Sequence, residues 1–179
     1  MSEASKPAVK SPTAAGAASG PEKLRRRPDW DEYFLSLAEL AATRSTCLRR
    51  QIGAVLVADR RVLATGYNGA PRGLPHCLET GCLKDQLQIP SGQRQEICRA
   101  IHAEQNAILQ AAHYGVAIKE ATFYCSHQPC AICTRLILNL DIRRLVLRSE
   151  YPDELARRLL GEAGFRRSEV DGRLVWARA

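Results

Sequence analysis

An α/β sandwich around one mixed sheet is the fold class this sequence predicts. Two patterns carry the prediction: a β-hairpin early in the apolar region, then helices and strands in alternation. A third observation bounds it. The chain has 179 residues and 45% hydrophobic content, enough for one domain with a core of its own.

Residues 1–27 are mostly Ala, Ser, Pro, Gly and Lys, with almost no large apolar side chain. They bury too little to offset chain entropy and are predicted to be a disordered basic tail. The domain is predicted to span 28–179, with order beginning at Pro28-Asp29-Trp30. Asp29 can cap a helix through Tyr33, Phe34, Leu37, Ala38, Leu40 and Ala41, which recur at helical spacing. Ile52–Val57 and Val62–Tyr67, joined by Asp59-Arg60, read as the hairpin. Residues 68–98, rich in Gly, Pro and Cys, read as a long loop of the functional or metal-pinned kind. Residues 100–114 read as a helix ended by Gly115, Ala121–Cys125 as a strand, 130–139 as a helix and Ile142–Leu147 as a strand. Asp153–Leu160 reads as a helix capped by Gly161, and Leu174–Trp176 as a last strand. The sequence shows no internal repeat.

Net charge is +7, of which +4 falls in residues 1–28. That is a solvated basic tail on a mildly basic domain, with nucleic-acid contact through Arg25–Arg27 as the alternative. No run approaches the ~18 apolar residues that span a membrane. The N-terminus has no apolar secretory core, so a cytoplasmic location is expected. Seven cysteines form an odd count with two clusters. Metal binding in a reducing compartment fits them better than a disulfide framework.

His102-Ala103-Glu104 and Pro129-Cys130-Ala131-Ile132-Cys133 carry the chemistry. One imidazole and two thiolates leave tetrahedral Zn²⁺ an open fourth position, the mark of a catalytic site. Positions i and i+2 inside a helix point ~200° apart. His102 and Glu104 can therefore share a pocket only at a helix N-terminus. Cys130 and Cys133, at i and i+3, share one helical face, and Pro129 suits a helix start. Two positive helix ends are thus expected at one metal, favouring thiolates. Zn²⁺ brings the pKa of a bound water to around 7, and Glu104 would move the protons. The bland alternative is a closed structural site with Glu104 or another cysteine as fourth ligand.

The spacing H-x-E…P-C-x-x-C matches the signature of zinc nucleobase deaminases. Further segments sharpen the match: Arg44–Cys47, Gly66–Gly73, His76-Cys77, Gly81-Cys82 and His102–Ile108. Together they resemble the deoxycytidylate (dCMP) deaminase family, in particular the bacterial form associated with the late-competence operon. The resemblance covers roughly residues 28–165. It implies a cytidine deaminase-like three-layer αβα sandwich with a five-stranded sheet. It implies zinc-dependent conversion of dCMP and water to dUMP and ammonia, supplying thymidylate synthesis. A homo-oligomer, and effectors dCTP and dTTP with Mg²⁺, are also implied. By the same resemblance Asn68 would hydrogen-bond the deoxyribose and the Ala103 backbone the base edge. Arg44 and Tyr151 would contact phosphate, a surface ion pair and a packed tyrosine being the bland alternatives. For Gly66–Gly73 the alternative is an ordinary turn.

Cys47, Cys77, Cys82 and Cys98 flank or fill the 68–98 loop and are predicted to converge on a second, structural Zn²⁺. His76 could replace one of them, and small buried hydrophobes are the alternative. Cys125 is expected to be packed core. His127 could line the pocket, bind phosphate or stand on the surface, and His113 suits a helix C-terminus. Two other functions compete. One is a deaminase of the same fold acting on tRNA adenosine or free cytidine. The other is a non-catalytic zinc-stabilised DNA- or protein-binding module, against which Glu104 speaks. Nucleic acid and membrane are the disfavoured partners.

Overall fold

A computed structural model describes residues 27–178. The predicted tail falls outside them except for Arg27. The chain begins with α1 (Trp30–Ala42), where Asp29 accepts a hydrogen bond from the Glu32 N–H at 2.8 Å. The hairpin follows as β1 (Gly53–Ala58) and β2 (Arg61–Tyr67). Asp59 and Arg60 form its turn with positive φ. The long segment holds two single-turn helices, α2 (Cys77–Thr80) and α3 (Leu83–Gln86), and a 3₁₀ turn at Gln95–Ile97. Then come α4 (Ala103–His113), β3 (Thr122–His127), α5 (Ala131–Leu138) and β4 (Arg144–Ser149). The chain closes with α6 (Glu154–Glu162), β5 (Phe165–Val170) and β6 (Arg173–Arg178).

The sheet order is β2-β1-β3-β4-β6-β5. Only the β3–β4 pair is parallel, so the sheet is mixed as expected. It has six strands, not five. The extra strand, β5, lies at the edge with five of its six residues exposed, so it shows no apolar alternation. A second correction concerns α6. Gly161 lies inside it, and Gly164, at φ +82°, takes the left-handed position after the helix.

Successive strand residues point to opposite faces and divide the core. Val55, Tyr124, Val146 and Val175 pack with Phe34 and Leu35 of α1. Leu56, Phe123, Leu145 and Trp176 pack on the other side with α4, Ile137 of α5 and Leu160 of α6. Helices therefore cover both faces. Two glycines let them come close. A Cβ at Gly53 would overlap the backbone of α1 at Ala38, and one at Gly66 the backbone of α4 at Ala103. The second contact seats the N-terminus of α4 against the sheet. Among the described residues no helix is long and apolar enough to cross a membrane.

Candidate metal centre and nucleotide pocket

The pocket opens at the carboxyl ends of the parallel pair β3 and β4, where open α/β sheets bind ligands. His102 is the N-cap of α4 and Cys130 the N-cap of α5. Glu104 falls in the first turn of α4, and Cys133 in the first turn of α5. Both helix starts are held from outside the motif. Gln105 Oε1 accepts from the His102 N–H at 2.8 Å. Asp153 caps two helices with one carboxylate, accepting from the Ala131 N–H at 2.8 Å and the Ala156 N–H at 3.0 Å.

His102, Cys130 and Cys133 offer ligand atoms all within 4.8 Å of one another. His102 Nδ1 lies 3.4 Å from Cys130 Sγ and 3.3 Å from Cys133 Sγ. Tetrahedral Zn²⁺ with ordinary Zn–S and Zn–N bonds would set its ligands about 3.5 Å apart, so the donor set fits the ion in both identity and spacing. Hydrogen bonding with Cys133, opposed by burial, holds the Cys130 thiol down at about 4. That same pairing, with burial, pushes Cys133 up. Hydrogen bonding to Cys130 raises His102 against its burial. Glu104 is buried, and burial pushes its carboxyl above the usual range, with the His102 charge pulling the other way.

The wall beyond this corner is cationic. Arg49, Arg50 and Lys84 line it, and Glu104 is the pocket's only carboxylate among the described residues. Lys84 is buried, donates to the Gln93 carbonyl and makes no ion pair among the described residues. Arg50 lies 5.2 Å from the centre of the Tyr151 ring, and Tyr151 itself lines the pocket. Its hydroxyl sits so close to Gly92 that a Cβ there would collide with it.

Arg44 is exposed and does not line this pocket. Its neighbour Ser45 turns inward instead, its hydroxyl donating to the Asn68 carbonyl at 2.9 Å. The arginines that line this pocket are Arg49 and Arg50. Ala103 lines the pocket, and its N–H lies in the first turn of α4, where no intrahelical carbonyl reaches. Asn68 also lines it, but its amide is largely committed. Oδ1 accepts from the Ile52 N–H at 2.8 Å and Nδ2 donates to the Arg50 carbonyl at 2.9 Å. One Nδ2 hydrogen is left for a ligand.

Cys47, Cys77, Cys82 and Cys98 all line the same cavity. Burial first, then the charges of the other three, raise the Cys77 thiol. Among the described residues no three of these sulfurs lie within 4.8 Å of one another, unlike the donors of the metal corner. His76 is paired through Nδ1 with the Thr46 hydroxyl at 3.0 Å. Cys125 is fully buried on β3, as expected. His127 is half-buried and lines the pocket, and burial followed by the Arg50 charge lowers its pKa. His113 ends α4. Arg49, Lys84, Gln128 and Asp153 were not singled out by sequence reasoning. The adjacent pair Arg49-Arg50, close after Cys47, was the available signal.

A mixed sheet flanked by helices, with one imidazole, two thiolates and a free carboxyl at two helix starts, defines a hydrolytic zinc-deaminase class of site. Residues 28–149 match the cytidine and deoxycytidylate deaminase zinc-binding region, and the chain belongs to that family. It is 43% identical over 141 residues to a deoxycytidylate deaminase of Schizosaccharomyces pombe, covering 78% of this chain and 44% of that protein. The chain thus spans less than half the length of this relative. It is 36% identical over 146 residues to ComE operon protein 2 of Bacillus subtilis, covering 81% and 73%. The crystal structure of dCMP deaminase from cyanophage S-TIM5 in complex with dCMP and dUMP superposes with a TM-score of 0.62 at 26% identity, covering 78% and 96%.

Proposed function

We propose that this chain hydrolyses dCMP to dUMP and ammonia. One observation carries the reading: a single pocket joins His102, Cys130 and Glu104, with Cys133 at ligand spacing behind them, to a wall bearing Arg49, Arg50 and Lys84. The first group suits deamination of a base, and the second suits a nucleotide over a nucleoside. The relatives named deoxycytidylate deaminase, and the dCMP and dUMP bound in the cyanophage enzyme, support it.

Zinc held by His102, Cys130 and Cys133 would supply a polarised water for attack at C4 of the cytosine. Glu104 would pass the first proton of the water to N3 as its oxygen bonds C4, then take the proton of the new C4 hydroxyl and give it to the amine as the C4–N bond breaks, so that water and dCMP balance dUMP and ammonia. Burial, which raises its pKa above the ordinary carboxylate value, favours its carrying a proton between these steps. The Ala103 N–H holds the base edge. Arg50 and Tyr151, with Arg49 and Lys84, hold the phosphate.

The same reading extends to finer points. Cys47, Cys77, Cys82 and Cys98 would close on a second, structural Zn²⁺. Residues 28–179 would be the working domain, in the cytoplasm, as a homo-oligomer. Regulation by dCTP and dTTP with Mg²⁺ is carried by the resemblance alone.

The test is ammonia release from dCMP by purified protein beside a folded, zinc-loaded Glu104→Ala. The parent is expected to turn over and the variant to lose about 10³-fold or more. Equal rates in the two would refute the role of Glu104, and no turnover by the zinc-loaded parent would refute the reaction.

A further inference from the structure

The loop that carries Cys130 is laced to a second segment of the chain. Ser149 Oγ donates to the Ser126 carbonyl at 3.0 Å, and the Gln128 N–H donates to the Ser149 carbonyl at 2.9 Å. Both bonds lie where the parallel strands end, His127 pairing with Ser149. A third bond runs from the Ala131 N–H to Asp153 Oδ2 at 2.8 Å. It alone uses a carboxylate, and it is made at the start of α5, between the two cysteine ligands.

That helix start does not cap itself. An N-cap is ordinarily Ser, Thr, Asp or Asn, whose side-chain oxygen takes one of the free N–H groups of the first turn. Here the N-cap is Cys130, which makes no side-chain cap bond, and the first turn of α5 has no acidic residue. The Cys130 sulfur belongs to the metal corner, 3.4 Å from His102 Nδ1. The acceptor comes instead from 22 residues away. Asp153 also has its own helix to cap, and Oδ1 does so, accepting from the Ala156 N–H at 3.0 Å. Capping α6 needs one oxygen, for which Asn or Ser would serve. The second oxygen has no duty in α6, and it holds α5.

The same few residues reach the other end of the pocket. The Asp153 N–H donates to the Tyr151 carbonyl at 2.8 Å. Tyr151 lines the pocket, with the Arg50 guanidinium 5.2 Å from the centre of its ring. Residues 151–153 thus join the cationic wall to the metal corner through one short stretch of backbone and one carboxylate.

We propose that Asp153 is a positioning residue whose carboxylate fixes the start of α5, and with it Cys130 and Cys133, at a set distance from the phosphate wall. The proposal rests on the dCMP-deaminase reading. A nucleotide held at its phosphate presents C4 at a fixed reach, and misplacement by about 1 Å can cost about 100-fold in rate. A nucleoside has no phosphate to anchor it and can follow the metal when α5 shifts. Asp153 therefore matters more for dCMP than for deoxycytidine.

The experiment uses Asp153→Asn and Asp153→Ser, which keep an acceptor for α6 and lose the one that holds α5. In Asp153→Asn the new NH₂ group would face the Ala131 N–H, donor against donor. Parent and variants are compared by urea midpoint and by kcat and KM on dCMP and deoxycytidine. Cobalt-substituted protein adds the d–d absorption and, by chelator competition, the metal affinity. Midpoints should stay near the parent's. The kcat on dCMP should fall about tenfold or more, with a smaller loss on deoxycytidine, and cobalt should be held about tenfold more weakly with a shifted spectrum. A folded variant with the parent's spectrum, affinity and rates would overturn the proposal. So would a rate that falls only in proportion to the unfolded fraction, or equal losses on nucleotide and nucleoside. The cobalt measurements need no turnover. A parent that releases no ammonia, beside variants that bind cobalt weakly with a shifted spectrum, would sink the deaminase reading and leave the placing of the cysteines by Asp153 standing.

Discussion

The metal corner and the cysteine corner share one pocket, but they are built by different means. His102, Cys130, Cys133 and Glu104 all stand at the first turns of α4 and α5. Those helices are packed on the sheet and capped by Gln105 and Asp153. Regular backbone sets the donors at metal-binding spacing. Cys77 opens the single-turn α2 and Cys82 caps the single-turn α3, while Cys47 and Cys98 lie outside helices and strands. The segment they span is held by scattered bonds such as Arg49 to Asp85 at 2.8 Å and to the Ile89 carbonyl at 2.7 Å. Its sulfurs share a cavity, but among the described residues no three of them lie at ligand spacing. A site on regular structure is preorganised, whereas one on a loop depends on the ion to close it.

The sharpest way to break that contrast is a pair of substitutions. Cys133→Ser is expected to abolish turnover, by about 10³-fold or more, with loss of one zinc. Cys77→Ser should lower zinc from two per chain to one, open residues 68–98 to limited proteolysis and cost less activity. Elemental analysis together with ammonia release decides. One zinc in the parent would remove the second half of the comparison.

The rigid corner depends on the approach of β2 to α4. Gly66→Ala, whose Cβ would overlap the Ala103 carbonyl, should cost about 2 kcal/mol or more in denaturant unfolding. Gly73 has positive φ and nothing within 4 Å of a built Cβ, so Gly73→Ala should cost only about 1 kcal/mol of backbone strain. Equal costs would mean that the close approach is not what seats the helix.

Arg50→Ala should raise KM for dCMP about tenfold with little change in kcat, and leave deoxycytidine nearly unaffected. Parallel losses on nucleotide and nucleoside would place Arg50 outside phosphate recognition.

The smallest effect lies away from both corners, on the α1 face. Arg173 holds Asp29 down at about 2, ahead of a hydrogen bond from the Glu32 backbone. Arg148 lowers Glu32, and Arg144 lowers Asp31 against its burial. These folded pKa values lie below the unfolded ones. Their stabilisation is therefore complete above pH ~4 and is lost as pH falls towards ~2. Urea midpoints across that range should fall for the parent and fall less steeply for Arg173→Met. Parallel slopes would show that the Asp29 pair contributes nothing. The effect is modest because Asp29 is half-exposed and solvent screens the pair.

The metal corner was legible in the sequence because its logic is local. An i, i+3 cysteine pair after proline, and a His-x-Glu before an apolar helix, constrain geometry within one turn. The hairpin and the alternation after it were legible for the same reason. Strand β5 was not, since an edge strand with one buried residue carries no pattern. Arg44 was placed in the site by likeness to a family, and the inward turn of Ser45 sends it to solvent. Asp153 caps α5 from 22 residues away, and no local spacing announces such a bond.

What the sequence determined by itself is the chemistry: which side chains can bind zinc, which carboxyl stays free, and that both belong at helix starts. Periodicity and capping are properties of a few neighbouring residues, so they can be read without the fold. Only the tertiary structure decided what surrounds that chemistry. It chose Arg49, Arg50 and Lys84 over Arg44 as the cationic wall, spent Asn68 on the backbone, and brought Asp153 to the start of α5. Those outcomes depend on which segments meet across the sheet, and burial and pairing exist only once they have met.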